Sequence, residues 1–570
     1  MTAGGEPFTL RLRPGVAATV LRAGLHLRGR DGSVTLEGSK ALPALWELLA
    51  DRLGAEPAAP AGTARRPGGL DPSDPRVASA LDGLAGQLRA HGLLAELPEG
   101  GEGPAAWLAA STDRPGAAAA ALAAAPPVVT AADPGAPLAA ALLRALHRAG
   151  ARPEARTDSR LPPGLVVAAA GAPPVAVAAD RTAGGGFVTA PTAPERVRAD
   201  AGAVAARLGG TVSASAAAAG ADALTALLAG AAAQRLLCAA AGLPDPAGAD
   251  EDQRLLPGRP AVLVAEAAPP RASYHPWAAG PAAASEPALP PAADLAEALR
   301  RVGALADPLL GVLDAPLPGR LPQLPAALAA CRTPAGPLVA GAPRADLARL
   351  TAACRAAELR LGGAAVVGAG PGHARGRALR RAALAASGRA DTGPALPEEE
   401  WREHPQARHW WAVLTGIAGH AQARLAVRQL GGEQAYAAVV RVPGAPAPLG
   451  RAVEATPADA AAVALLGAVT RAMAADHGPA GAAHAPFSGA EAPLAAAGTE
   501  PAAWADEGWT DVWLTGTAHR EAALTAALTR LTGPAPGPWL PPGGDPVAAR
   551  TATVLRSCGF TVLADPKESP

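Results

Sequence analysis

Lysine is almost missing from this chain of 570 residues: Lys40 and Lys567 are the only two, which leaves 48 arginines among the 50 basic residues (50 − 2). A Gly-rich phosphate loop that closes on a lysine therefore cannot exist here, and Schiff-base chemistry has almost no candidates. Cysteine is scarce as well. Cys238, Cys331, Cys354 and Cys558 stand alone with no C-x-x-C pair, which argues against a disulfide framework and against a thiolate zinc site. The formal net charge is zero, so the whole chain has no basic excess to draw it to nucleic acid. The N-terminus lacks the basic region and apolar core of a signal peptide, and Ala runs such as Ala117–Ala125 are too short and weakly hydrophobic to span a bilayer. A soluble, cytoplasmic protein with no membrane partner is expected. What the chain has in excess is Ala, Arg, 65 Gly and 61 Pro, the bias of a high-GC coding sequence, so Ala and Arg say little about function.

At this length two to four domains are expected. The first, residues 1–97, opens with three short runs whose apolar residues fall on every second position, the period of a half-buried strand: Phe8–Arg13, Gly24–Arg28 and Ser33–Glu37. Asp31-Gly32 between the last two signals a tight turn. A helix is expected over 41–53 and a second over 76–91. Asp71–Pro75 supplies its start, Gly92 its stop, and Val77, Leu81, Leu84 and Leu88 share one face. Three strands plus these helices look like a winged helix. Such folds commonly bind DNA, but the second helix carries only Arg76, Arg89 and His91 against Asp82, a poor match for phosphate. The other use of a small sheet is its open edge, whose free N–H and C=O groups an extended peptide can pair with.

Residues 98–287 turn to α/β alternation after the linker Pro98–Pro104. Strands are expected at Pro127–Thr130, Leu165–Ala169 and Pro174–Ala178, helices at Pro137–Gly150 and Ala223–Gly242. Strand, turn and helix in that order suggest a doubly wound nucleotide-binding fold. Ala131–Pro137, however, offers one Gly and two prolines where a G-x-G-x-x-G would be needed, so no nucleotide is assigned. Gly184-Gly-Gly186 is expected to be a flexible loop, Cys238 a small core residue, and His275 and Trp277 packing or interface residues.

Residues 288–570 follow a Pro/Ala-rich break at Pro281–Pro291. Helix 374–389 presents Arg375, Arg377, Arg380, Arg381 and Ser387 with no acid, and helix 457–474 keeps only Asp459, with Glu454 just ahead of it. Magnesium on a triphosphate needs oxygen ligands, which a purely basic helix cannot supply. Trp401, Trp410, Trp411, Trp504, Trp509, Trp513 and Trp539 put seven of the ten tryptophans in the last third, to be explained by burial or by a partner interface. The spacing of His404, His409 and His420 matches no metal-ligand pattern.

Taken together, these segments resemble a known plan. The order of elements in 1–97 is similar to the leader-peptide recognition element of proteins that modify ribosomally made peptides. "GGGFVTAP", "AAAQRLL" and "LPGRPAVLVAEAAPPRASYHPW" resemble pieces of the ocin-ThiF-like family, the partner proteins of YcaO cyclodehydratases in thiazole/oxazole-modified peptide and thiopeptide pathways. "DPLLGVLDAPLPGRLPQLPAALAACR", "VVGAGPGHARGRALRRAALAASGRAD" and "GRAVEATPADAAAVALLGAVTRA" resemble parts of the YcaO domain itself. The resemblance implies a multidomain α/β protein: a winged-helix peptide-recognition domain (1–97), a degenerate ThiF-like doubly wound domain (98–287) and an α+β docking domain (288–570) like a degenerate YcaO. It implies that a precursor leader adds alongside Ser33, Val34, Thr35, Leu36 and Glu37 and rests on Arg76, Ala80, Gly83 and Gln87. The partners implied are that leader, a separate YcaO cyclodehydratase that carries the ATP and magnesium, and a second copy of this chain through the ThiF-like domain. No cofactor, metal or catalytic residue is expected on this chain. Two alternatives stay open at this point, an ATP-using cyclodehydratase subunit and a DNA-binding regulator.

Overall fold

A computed structural model of the chain describes residues 8–13, 16–21, 24–29, 33–53, 70–71, 73–98, 105–112, 114–182, 184–209, 221–248, 252–267, 269–281, 286–387, 395–498, 510–541 and 545–566. The chain divides into two compact units, one of residues 1–201, 212–248 and 263–273, the other of residues 202–211, 249–262 and 274–570.

In the first unit, β1 (Phe8–Leu12) pairs antiparallel with β5 (Leu94–Pro98), while β2 (Ala17–Leu21), β3 (Gly24–Arg28) and β4 (Ser33–Glu37) form a three-stranded antiparallel sheet in that order. The three strands expected from the alternation thus do not share one sheet. β2 takes the place beside β3, because only two residues separate them and a connection that short forces adjacent antiparallel strands. The Asp31-Gly32 turn lies outside the described residues. Helices α1 (Leu42–Arg52) and α2 (Pro75–Ala90) follow. Asp74 caps α2, its carboxylate accepting from the Arg76 N–H at 2.8 Å, and Gly92 leaves the helix at φ +65°, a conformation that favours glycine. Leu81, Leu84 and Leu88 close a core with Leu25, Leu27, Leu45 and Leu49.

After α3 (Ala105–Ser111) and α4 (Pro115–Ala124) comes a seven-stranded sheet. Its strands are β6 (Val128–Ala131), β7 (Glu154–Thr157), β8 (Val166–Ala170), β9 (Val175–Arg181), β10 (Gly185–Val188), β11 (Ala261–Ala267) and β12 (Pro270–Pro276), in the order β12-β11-β10-β9-β8-β6-β7. Helices α5 (Pro137–Arg148), α6 (Pro194–Leu208) and α7 (Ala221–Ala240) accompany it. The expected doubly wound parallel arrangement is not what forms. Of the pairings described, only β6 and β7, joined through α5, are parallel; β6–β8, β8–β9, β9–β10 and β10–β11 are antiparallel. Four residues separate β8 from β9 and three separate β9 from β10, too few for the crossover that parallel strands require. The Gly184–Gly186 run is likewise no loop: Gly185 and Gly186 open the buried central strand β10. A Cβ on Gly185 would strike the Ala265 carbonyl, and one on Gly186 the Asp180 carbonyl and Leu228, so glycine here sets how closely strand and helix approach.

The second unit contains α8 (Leu295–Leu305), β13 (Ala327–Thr333), β14 (Gly336–Ala342), α9 (Ala345–Arg360), β15 (Ala365–Gly368), α10 (Pro371–Ser387), α11 (Glu399–Arg402), α12 (Pro405–Ala412), β16 (Arg424–Gln429), β17 (Tyr436–Arg441), β18 (Gly450–Glu454), α13 (Pro457–His477), β19 (Ala483–Pro486), α14 (Ala492–Ala496), α15 (Thr510–Thr532), α16 (Pro546–Ser557) and β20 (Thr561–Ala564). Its sheets are small: β13-β14-β19, β16-β17-β18, and the pair β15-β20. α13 is the axis, capped by the Thr456 hydroxyl and buried from Asp459 to Thr470 without a break. Trp401, Trp410, Trp513 and Trp539 are 3–4% exposed in the core around it, so burial accounts for them; Trp504 and Trp509 lie outside the described residues.

Two glycines should respond in opposite ways to an added methyl. Gly186→Ala should cost about 1–3 kcal/mol, because a backbone carbonyl cannot move aside as a side chain can. Gly83→Ala, at an exposed position of α2 with open space around it, should stabilise by about 0.5–1 kcal/mol. Urea denaturation of the two variants checks both signs.

Candidate functional site

The peptide-binding residues implied by the resemblance lie on two elements of one small core. β4 is an edge strand of its sheet, and its side chains alternate: Ser33, Thr35 and Glu37 are exposed, Val34 and Leu36 are half-buried against the leucine core. Thr35 meets His26 of β3 on the outer face, Oγ1 to Nδ1 at 2.9 Å. On α2 the residues Arg76, Ala80, Gly83 and Gln87 are all exposed. At about 100° per residue they form a stripe beside the buried one, three of the four turns of which are leucine. That stripe is small in its middle, where Ala80 and Gly83 stand.

In the seven-stranded sheet, the segment between β6 and α5 closes on itself. The Asp133 carboxylate accepts from the Gly135 N–H at 2.8 Å, and the Ala136 N–H bonds the Asp133 carbonyl at 3.1 Å. Two backbone donors of the turn, those of Gly135 and Ala136, are thereby taken within the segment. Farther along, Arg235 of the "AAAQRLL" stretch is fully buried and holds Asp245 with two bonds, 3.0 and 2.5 Å.

In the second unit His275, with no acid near it in sequence, has one in space: Asp307 Oδ2 lies 2.9 Å from its Nδ1. The other Asp307 oxygen accepts from the Leu309 and Leu310 N–H groups, so the pair ties the chain before Trp277 to the end of α8. All four cysteines are buried, and burial pushes their thiols up, to about 11 for Cys238 and about 12 for Cys331 and Cys354. None is a nucleophile by that measure.

The densest polar cluster surrounds α10. The helix contributes only cations, and the acids arrive from distant parts of the chain. Arg380, 4% exposed, is held by Glu454 at 2.7 and 3.1 Å and by Glu521 of α15 at 2.6 and 2.7 Å. Glu358 of α9, fully buried, receives Arg377 at 3.1 Å, Arg381 at 2.8 Å and Arg355 at 2.9 Å. Arg381 also reaches Asp565 at 2.9 Å. Asp459, 1% exposed, takes the Trp513 indole N–H at 3.0 Å and Arg520 at 2.9 Å. Both carboxylates singled out as survivors of a metal site, Glu454 and Asp459, are therefore engaged by protein cations. Reading α10 alone missed this because its counter-ions are 19 to 184 residues away. A cavity of about 490 Å³ opens beside the cluster, lined by Arg355, Arg377, Arg380, Arg381, Arg451, Glu454 and His484.

Charge is unevenly shared in this network. Burial pushes the Glu358 carboxyl up, but Arg377, Arg381 and Arg355 outweigh it and hold the group at about 2. Arg380 is one cation between two carboxylates. Burial therefore prevails at Glu454 and raises it to about 7. Burial likewise raises Glu491, bonded by the Thr351 hydroxyl at 2.9 Å, to about 7. His373 is pushed down to about 3 by burial and by Arg377, and His484 to about 4, so both imidazoles are neutral.

Removing Arg380 should be costly. Arg380→Met leaves Glu454 and Glu521 facing each other and should lower stability by about 3–5 kcal/mol in a denaturant titration. The pH dependence follows from the signs. A carboxyl raised from 4.5 to about 7 binds its proton more tightly folded than unfolded, so its contribution is present below pH 4.5 and lost as pH rises through 7. Glu358, lowered to about 2, contributes above pH 4.5 and loses that contribution as pH falls toward 2. Glu454→Gln should flatten the decline in melting temperature between pH 5 and 7 and leave the acid limb unchanged.

No protein-family model and no curated protein matches the chain. Two solved structures are similar to it over 98% of its length and 94% of theirs, at 12% sequence identity: one described as a heterocyclase in complex with substrate and cofactor, with a TM-score of 0.46, the other as the heterocyclase TruD, with a TM-score of 0.41.

Proposed function

We propose that this chain is a non-catalytic adaptor in the biosynthesis of azole-containing peptides. Its N-terminal module binds the leader of a ribosomally made precursor and presents the core to a separate YcaO cyclodehydratase, which uses ATP and magnesium to form azolines. The observation that carries the reading is the open edge of β4, with exposed Ser33, Thr35 and Glu37, on the same core as the small exposed stripe of α2. An extended segment can extend the sheet at such an edge through main-chain bonds, and the small residues of a nearby helix leave room for its side chains. Val34 and Leu36 belong to the core, so recognition rests on the β4 backbone and on outward groups. Holding the leader raises the effective concentration of the core at the partner's active site. The non-catalytic part of the reading is supported by the arginine partners of Glu358, Glu454 and Asp459, since an ion-paired carboxylate must first lose its cation to ligate a metal.

A second reading, an ATP-using subunit, draws on the arginine-lined cavity beside α10. ATP turnover by the isolated chain would favour it.

Gly83→Trp should fill the stripe without disturbing the core and weaken binding of a fluorescein-labelled precursor leader at least tenfold, while Gly83→Ala binds as the parent does. Polarisation titrations on the full chain measure this. Equal affinity for the parent and Gly83→Trp would remove the leader from α2.

A further inference from the structure

β7 is one of the two edge strands of the seven-stranded sheet, and its charge pattern is self-complementary. Reading from Arg152, every second residue alternates in sign: Arg152, Glu154, Arg156, Asp158. Residues two apart in a strand point to the same face, so these four charges form one row. All four residues of β7 are exposed, as is Arg152. Among the described residues, Arg152, Glu154 and Arg156 have no ion pair, while Asp158 already holds Arg198 at 3.0 Å.

The backbone agrees with the side chains. Glu154 and Asp158 donate their N–H groups inward, to the carbonyls of Pro127 and Ala131 at 2.8 and 2.9 Å. Alternate residues of a ladder bond to opposite sides, so Pro153, Ala155 and Thr157 turn their main-chain groups to the open edge. A second β7 laid antiparallel with Ala155 on the two-fold axis would pair Ala155 with its own copy by two hydrogen bonds. The Thr157 N–H of each copy would reach the Pro153 carbonyl of the other, and Pro153, which has no N–H, limits that pair to one bond. Glu154 then faces Arg156 at the closer, non-hydrogen-bonded positions, and Arg152 faces Asp158.

We propose that β7 is a homodimerisation edge: two copies of this chain join antiparallel across Ala155, with Glu154 of each against Arg156 of the other. This gives the second-copy partner a definite surface, and it does not rest on leader binding. The register is fixed by repulsion as well as attraction. A two-fold on Glu154 would set Glu154 on itself and Arg152 on Arg156, and one on Arg156 would set Arg156 on itself and Glu154 on Asp158. The axis at Ala155 is the one that sets all four charges of the row against a charge of opposite sign. The edge strands β2 and β4 lack the device, β2 carrying no charge and β4 only Glu37, and β12 at the opposite edge of the same sheet carries Arg271 with no acid. A charged edge ordinarily discourages pairing with strangers, and this one would admit a copy of itself.

Sedimentation equilibrium of the full chain tests the proposal. The parent is expected to be a dimer that dissociates as salt is raised, since exposed ion pairs are screened. Glu154→Arg and Arg156→Glu should each be monomeric, with far-UV circular dichroism like the parent's because both positions are exposed. Mixed one to one, the two variants should form a heterodimer, and the double variant E154R/R156E should dimerise again. A parent monomeric at its highest soluble concentration would overturn the proposal. So would single variants that remain dimeric, or a mixture and a double variant that both stay monomeric.

Discussion

Arg380 sits between Glu454 and Glu521 with almost no access to water, and the second unit is arranged so that this ion can exist. A guanidinium taken from water needs its donors satisfied in a planar fork. Here β18 and α15 must both reach α10 to supply the acceptors. The neighbouring hub has the opposite polarity: one carboxylate, Glu358, gathers Arg355, Arg377 and Arg381 from α9 and α10. Together they fasten α9, α10, β18 and α15, and through Arg381 and Asp565 also the chain beyond β20. Apolar packing around α13 supplies bulk stability, whereas the ion network selects which elements lie against α10.

Much of the local structure was legible in the sequence. The periodicity of Val77, Leu81, Leu84 and Leu88 located α2, the segment Asp71–Pro75 and Gly92 its ends, and the apolar runs the strands β6, β8 and β9. Local patterns, however, do not state pairing. Ala17–Leu21 alternates only weakly, and its pairing with β3 follows from a two-residue gap rather than from composition. The strand–turn–helix order of β6 and α5 pointed to a parallel sheet, yet the connections after β8 are too short to allow one. Gly184–Gly186 read as a loop because glycine is common in loops; the reason for glycine there is a carbonyl of a neighbouring strand, a contact invisible to any local window.

The candidate site divides along the same line. The alternation of Ser33–Glu37 and the helical period of α2 were accessible in the sequence, whereas the choice of these two elements as a peptide site came from the family resemblance. The fate of the arginines on α10 was not, since each finds its counter-ion on another element. A row of cations on one helix says that anions must exist somewhere, and the sequence alone leaves open whether they belong to the chain or to a ligand. Here they belong to the chain. His275 makes the same point on a smaller scale, its acid lying 32 residues on.

The shared ownership of these ions also shapes how this part of the protein could change over generations. Each buried arginine neutralises a carboxylate contributed elsewhere, and each carboxylate serves more than one arginine or one arginine serves two acids. Exchanging Arg380 for an acid would first place three carboxylates together in a dry interior, and losing Glu454 or Glu521 first would leave the buried guanidinium with one acid instead of two. Each such exchange is unfavourable alone and is tolerated only with a compensating change at its partner. The network works as a ratchet: once set, it ties distant positions to one another, so that a change at one of them is retained only together with a change at another.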